Sequence, residues 1–478
     1  MRLLELILTL AVAACGIRLA GLGRAAGMQW VHGMQLLLAA LLVVQVLVEG
    51  WRWQVFPAYA AALVVAATPS LLGLSAQTLF WSASASVALL ALSVASCLLL
   101  PFVVPEPGHG PFAVGVTPIP VSVSRPQDVG TDGVPATSEL MATPRVQLWY
   151  PAEAPQRGER FNTLVKQRIA DRFRALPRVP AVPDAPVAHN TTKFPVVIYF
   201  DGWPEDKVQN IALILELASR GFAVASLQYP DRPPGTSDAS DAQMRARLAR
   251  EMVEYTSDAA FEHSVQLDHA RARQHARDAI AVLDALAAFD AQAGSRFTQQ
   301  LDTQRAGALG FSYGGAIAAE TSRLDPRVRA VVNMDGRHWG DTLDKGVERP
   351  YMFICEELQM PTAAALSSAD PMIRYEARLD QVDYSQLAAN LQALGGIRVT
   401  IAGMAHMNFT DFPLRSPLRR LSFGGAIDPR RAQQIIKTYV SEFFSRYLQS
   451  ERPPALDSPL PQFPEVRVQS WPAPKSSL

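Results

Sequence analysis

The sequence predicts an α/β domain, a mostly parallel sheet with helices on both faces, preceded by an all-α transmembrane segment of about four helices. Three observations carry this reading. Charge is nearly absent from the first hundred residues, which run instead as long apolar stretches. Beyond them, short runs of β-formers alternate with helical patterns, the order that builds a parallel sheet. One such run, Ala306-Gly307-Ala308-Leu309, passes through Gly310-Phe311-Ser312-Tyr313-Gly314-Gly315 into Ala316, Ile317, Ala318 and Ala319.

The amino-terminal segment, residues 1–104, holds only Arg2, Glu5, Arg18, Arg24, Glu49 and Arg52 of the chain's 44 basic and 44 acidic residues. Its apolar runs, Leu3 to Ala20, Val31 to Val48, Val55 to Leu72 and Thr78 to Leu100, each come near the ~20 residues that span a hydrocarbon core. A signal peptide accounts for only the first of them. Trp30, Trp51, Trp53, Tyr59 and Trp81 fall near the expected ends, where amphipathic rings prefer the headgroup layer. Glu5 is close enough to the amino terminus to snorkel there.

Residues 105–144 form a proline-dense stretch, read as an extended spacer because proline removes helical hydrogen bonds. The catalytic domain is expected over 145–450. Its clearest strands are Val146 to Tyr150, Val196 to Phe200, Phe222 to Leu227, Ala306 to Gly310, Val328 to Met334, Tyr351 to Cys355 and Arg398 to Ala402. Ile280, Leu283, Leu286 and Ala287 mark one helix face, and Ile435, Ile436, Val440, Phe443 and Phe444 another. The polar stretch from Pro230 to His263 is long for a connection and reads as a lid or a surface insertion. Residues 451–478 read as a proline-rich tail lying on the domain or leaving it. Balanced charge without a basic run gives no reason to expect nucleic acid. The three cysteines suggest neither a disulfide framework nor a metal site, and no cofactor is expected.

A strand ending in Gly-x-Ser-x-Gly and turning directly into a helix is a nucleophile elbow, the mark of an α/β-hydrolase fold. Ser312 is then the nucleophile, and Gly310 and Gly314 are small because strand and helix must come close. A serine hydroxyl needs an imidazole to take its proton and a carboxylate to hold that imidazole, in the chain order serine, acid, histidine. Only His338 and His406 follow the serine. His406 is preferred, because it lies in a loop after the last expected strand, whereas His338 sits too near the acid candidates. Asp335 ends one strand and Glu356 and Glu357 end the next, and position alone does not choose between them. The oxyanion hole is expected from the backbone N–H groups of Tyr313 and of Trp203, in the loop Asp201-Gly202-Trp203-Pro204.

The segments RVQLWYPA, FPVVIYFDGW, GFAVASLQYPD, GFSYGG, NMDG and GMAHMNFTDF together resemble the plasma-type (group II) platelet-activating factor acetylhydrolases, and more closely their bacterial membrane-anchored relatives. The resemblance covers about Arg145 to Leu448. It selects Asp335 as the acid and implies a serine esterase acting on phospholipids with short or oxidised acyl chains. Alternatives are a general carboxylesterase or polyesterase for soluble esters, or an inactive receptor on the same fold. Asp201 stands where the family usually has histidine, and Tyr313 where phenylalanine is common. Arg18 and Arg24 in the first loop, with four crossings, place the hydrolase domain outside the cytoplasm, while Arg2 and Arg52 pull the other way.

Overall fold

The computed structural model describes residues 3–22, 28–50, 53–69, 75–100, 105–123, 144–154, 179–202, 209–229, 257–418, 423–451, 453 and 456–473. The chain divides into two compact units. One contains Met1–Val104, Gln156–Arg178 and Leu414–Ser422, and the other Pro105–Pro155, Val179–Pro413 and Phe423–Leu478.

The first unit is helical: α1 Leu3–Leu22, α2 Met28–Glu49, α3 Phe56–Ala67 and α4 Ala76–Leu99. Three of these, α1, α2 and α4, are long and apolar enough to cross a membrane. The third apolar run is shorter than expected: α3 has 12 residues, started by Pro57 in its first turn and preceded by a 3-10 turn, Trp53–Val55. At ~1.5 Å per residue it is well short of a ~30 Å core. Its Ala58, Ala61, Ala62 and Val65 are buried in one apolar cluster with Leu8 and Val12 of α1 and Leu79 and Leu90 of α4, and small side chains suit close helix approach. Glu5 differs from the expectation of a side chain reaching for the headgroups, since it is fully buried within this unit. Glu49 caps the start of α1, its carboxylate accepting the backbone N–H groups of Leu4 and Glu5 at 2.9 and 3.2 Å.

The second unit is built on a ten-stranded sheet in the order β10-β9-β8-β7-β6-β4-β5-β2-β1-β3. Its strands are β1 Ala113–Ile119, β2 Arg145–Ala152, β3 Val182–Pro183, β4 Phe194–Phe200, β5 Ala223–Gln228, β6 Leu301–Phe311, β7 Val328–Met334, β8 Tyr351–Cys355, β9 Gly396–Ile401 and β10 Val466–Trp471. Its helices are α5 Ile211–Ser219, α6 Asp258–Ala291, α7 Tyr313–Leu324, α8 Thr342–Lys345, α9 Ala363–Leu366, α10 Pro371–Leu394 and α11 Pro429–Leu448. From β5 through β4, β6, β7 and β8 to β9 every pairing is parallel, and β2 and β10 flank that block antiparallel.

Alternation along the central strands divides the core in two. In β4, Val197 and Tyr199 face the cluster that holds α5 and α11, while Phe194, Val196, Ile198 and Phe200 face the one that holds α6, α7 and α10. The predicted face of α11 is buried throughout. On α6 the buried stripe is Ala279, Val282, Leu283 and Leu286, turned slightly from the predicted one: Ile280 and Ala287 are half-buried.

Two proline-rich stretches carry strands that their composition hides. Within 105–144, β1 pairs with β2 in full register, and Pro118 is exposed in a strand near the sheet edge, where a missing N–H is tolerated. Within 451–478 the tail lies on the domain, β10 closing the opposite edge against β9. Of the stretch 230–263, residues 230–256 lie outside the described residues, and Asp258 begins α6.

Candidate active site

The site is assembled where three parallel strands end. β6 delivers Ser312, with φ 53° and ψ −125°, a backbone conformation a residue with a Cβ adopts only under strain. The turn is possible because Gly310 and Gly314 lack side chains. A Cβ on Gly310 would lie 1.9 Å from the Gly314 carbonyl oxygen, and one on Gly314 would lie 2.4 Å from the carbonyl oxygens of Phe200 and Asp201. Ser312 is also the N-cap of α7, so its hydroxyl sits at the positive end of a helix dipole.

His406 arrives from the loop after β9, at the start of a 3-10 turn, His406–Phe409. Its Nε2 lies 3.0 Å from Ser312 Oγ, and its Nδ1 lies 2.7 Å from Asp335 Oδ2. The imidazole is 44% exposed and the Asp335 side chain 5%, so the ring is open to solvent while the carboxylate is shielded from it. Phe311 packs against the imidazole at 4.8 Å between ring centroids. With Nδ1–H donated to Asp335, Nε2 is left to accept the serine proton.

Asp335 follows β7 with φ 56°, in a left-handed turn completed by Gly336. Its Oδ1 accepts the backbone N–H of Glu356 at 3.1 Å. Glu356, the other acid candidate, is therefore brought close but contributes a main-chain bond that orients Asp335, while its own side chain makes no hydrogen bond to His406 among those described. Burial and the adjacent Asp335 charge push the Glu356 carboxyl up to about 7.

The expected oxyanion loop begins after β4. Asp201 Oδ1 accepts the Tyr199 hydroxyl and the Gln209 N–H, each at 2.8 Å, and the Gly202 N–H donates to Gln209 Oε1 at 3.2 Å. Asp201 thus closes the base of the loop. Trp203 lies outside the described residues. Tyr313 opens α7, and first-turn N–H groups point outward along the helix axis. Its hydroxyl donates to the Asp268 carbonyl oxygen at 2.8 Å, so the side chain is held by α6. Burial pushes that hydroxyl well above its ordinary range and the Asp268 carboxyl up to about 6.

Three residues were missed in the sequence reading. Asn333, at the end of β7, binds both the N–H and the carbonyl of Gly336. Asn408 Oδ1 accepts the N–H groups of Ala405 and Gly425 at 3.0 and 2.6 Å, fixing the histidine loop. Asp411 accepts the Ala212 N–H at 3.1 Å, capping α5 from a distant loop, while its own N–H donates to the Gln209 carbonyl. Asn408 and Asp411 lie in the MNFTDF segment after His406, and the available signal was the presence of amide and acid side chains in it.

A family model described as platelet-activating factor acetylhydrolase, isoform II, matches residues 145–453. The chain is 26% identical over 175 residues to a probable 1-alkyl-2-acetylglycerophosphocholine esterase of Arthroderma benhamiae, covering 34% of this chain and 42% of that protein. It is 21% identical over 287 residues to a platelet-activating factor acetylhydrolase of Gallus gallus, covering 54% and 63%. In both cases the match spans less than two thirds of the curated relative. Among solved structures, a ferulic acid esterase from Streptomyces cinnamoneus superposes with a TM-score of 0.52 at 23% identity, covering 77% of this chain and 99% of that one, a likeness of fold.

Proposed function

The chain belongs to the platelet-activating factor acetylhydrolase isoform II family, and on that premise we propose that it is a serine hydrolase of carboxylic esters, with Ser312, His406 and Asp335 as its catalytic triad. The observation that carries the proposal is the continuous chain from Ser312 Oγ through both nitrogens of His406 to Asp335 Oδ2, at 3.0 and 2.7 Å. In this reading His406 takes the Ser312 proton as Oγ attacks the ester carbonyl carbon. The oxyanion is held by the N–H groups of Tyr313 and Trp203, and the alkoxide leaves with the proton from His406. An acyl group remains on Ser312. Water, activated by the same imidazole, then releases the carboxylic acid and restores the serine. Asp335 holds the ring in its working tautomer and stabilises the imidazolium.

The substrates we propose are phospholipids or related esters with short or oxidised acyl chains, a reading supported by the family and by the names of both relatives. The helices α1, α2 and α4 support an integral membrane protein whose lipid substrate is at hand. We place residues 1–104 in the membrane and residues 145–450 as the catalytic domain, joined by 105–144 and followed by the tail 451–478, the extracytoplasmic side being the one that a fourth crossing by α3 would give. Hydrolysis of a series of glycerophosphocholine esters differing only in the sn-2 acyl chain tests the substrate class. A rate that falls steeply beyond short or oxidised chains is expected, and equal rates on long chains would contradict it.

A further inference from the structure

The loop that carries Asp335 is held by a second carboxylate–imidazole–hydroxyl chain. His338, three residues after Asp335, places Nδ1 2.8 Å from Asp383 Oδ1 on α10 and Nε2 2.7 Å from the Tyr351 hydroxyl at the start of β8. The same Asp383 oxygen also accepts the His338 backbone N–H at 2.8 Å. A carboxylate only accepts, so Nδ1 carries a hydrogen, and in the neutral ring Nε2 then accepts from Tyr351. The His338 and Asp383 side chains are each 4% exposed, so no substrate reaches this chain.

Asp383 Oδ2 is buried and makes no hydrogen bond among the described residues. The neighbouring bonds all act on the same turn. Arg337 donates to Asp380 at 2.7 and 2.9 Å and to Glu376 at 2.7 Å, again tying the loop to α10. A Cβ on Gly336 would lie 1.9 Å from the Ser312 carbonyl oxygen, so the turn rests directly on the elbow. Any shift of the loop against α10 therefore moves Asp335 relative to His406.

We propose that Asp383, His338 and Tyr351 are positioning residues, which fix the turn so that Asp335 Oδ2 meets His406 Nδ1. The proposal rests on reading Ser312, His406 and Asp335 as the triad. Titratable and charged groups already around Asp335 are Arg337 on its own loop, Asp380 and Tyr384 on α10, and Cys355 and Glu356 at the end of β8. They are unchanged in the variants below.

The test compares Asp383→Ala with Asp383→Asn in the full-length protein. Active sites are counted by labelling with an organophosphonate, and kcat and KM are measured across pH on a soluble short-chain ester. Asp383→Ala is expected to lower kcat per labelled site about 10- to 100-fold with little change in KM, the effect of a small misplacement. It is also expected to move the acid limb of kcat/KM to lower pH by about half a unit or more, because the imidazolium loses part of its contact with Asp335. Asp383→Asn keeps an acceptor for both His338 donors and should restore rate and limb. An unmoved limb in Asp383→Ala overturns the proposal, whatever happens to thermal stability. A limb moved equally by both variants overturns it too, since the effect would then be that of a lost charge. If Asp383→Ala does not fold, His338→Leu and His338→Gln take the two places under the same criteria. Asp335→Asn is the control: if it leaves kcat intact, the triad reading has failed, and if it alone collapses kcat, only the positioning proposal has.

Discussion

Asn333 and Gly336 are joined by two hydrogen bonds: Gly336 N–H donates to Asn333 Oδ1 at 2.9 Å, and Asn333 Nδ2 donates to the Gly336 carbonyl at 2.8 Å. The amide thus does for the acid turn what a strand partner would do for a strand. It stands in for backbone pairing where β7 ends and lets Asp335 take its left-handed conformation.

Asn333→Ala leaves two buried main-chain groups without this partner and is expected to cost about 2 kcal/mol or more of stability. Asn333→Asp keeps the acceptor for the Gly336 N–H but sets a buried carboxylate oxygen against the Gly336 carbonyl, and should be at least as destabilising as Asn333→Ala at neutral pH. Thermal unfolding of the three proteins, read beside kcat, checks the order. Equal stability of Asn333→Ala and wild type would mean that the turn is held by other contacts.

The two acid candidates separate by substitution. Asp335→Asn should reduce kcat by up to about 10⁴-fold, because the imidazole is released to the wrong tautomer. Glu356→Gln preserves the backbone N–H that supports Asp335 and should cost far less. If Glu356→Gln were the more damaging, the acid assignment would be reversed.

A pH dependence follows from Asp411, which links the histidine loop to α5. Burial pushes its carboxyl up to about 6, above the ~3.9 of an unfolded chain. Between those values the folded protein holds a proton that the unfolded chain has lost. The associated stability is complete below about 3.9 and is lost as pH rises through about 6. Asp411→Asn cannot titrate, so its melting temperature should gain on that of wild type between pH 4 and pH 7. A gap that stays constant over this range would show that Asp411 ionises in the folded protein as it does in the unfolded one.

What the sequence made legible is local. The glycines of the elbow, the serine between them and the histidine in a loop beyond the last central strand all announce themselves by spacing, because the turn and the proton relay each demand a fixed residue type. The core strands were legible from their apolar runs, since a strand buried on both faces needs little else. Strands β1 and β10 were not, because strands at or next to a sheet edge tolerate proline and exposed residues and derive their order from a partner elsewhere in the chain. Asp335 was legible only through the family resemblance: position alone could not rank it over Glu356, because the 71-residue separation from His406 is closed only by the folded sheet. Asn333, Asn408, Asp411 and the His338–Asp383 pair act through contacts between distant segments, which have no period to read.

In the proposed membrane arrangement, orientation turns on α3, because four crossings would return the catalytic domain to the side of the amino terminus and three would not. Alkaline phosphatase fused after Val104 is expected to be active in a bacterial host, and a fluorescent protein that matures only in the cytoplasm should stay dark at the same position. The reverse pattern would put the catalytic unit inside and confine it to cytoplasmic-leaflet lipids and intracellular esters.

The central claim is that Ser312 is the nucleophile of an acyl-enzyme. Incubating the full-length protein with a fluorophosphonate and locating the adduct by peptide mass spectrometry tests it most directly. One phosphonyl group on the peptide containing Ser312, formed in proportion to the loss of ester hydrolysis and absent from Ser312→Ala, is the predicted result. An adduct on another residue, or ester hydrolysis that survives full modification of Ser312, would contradict it.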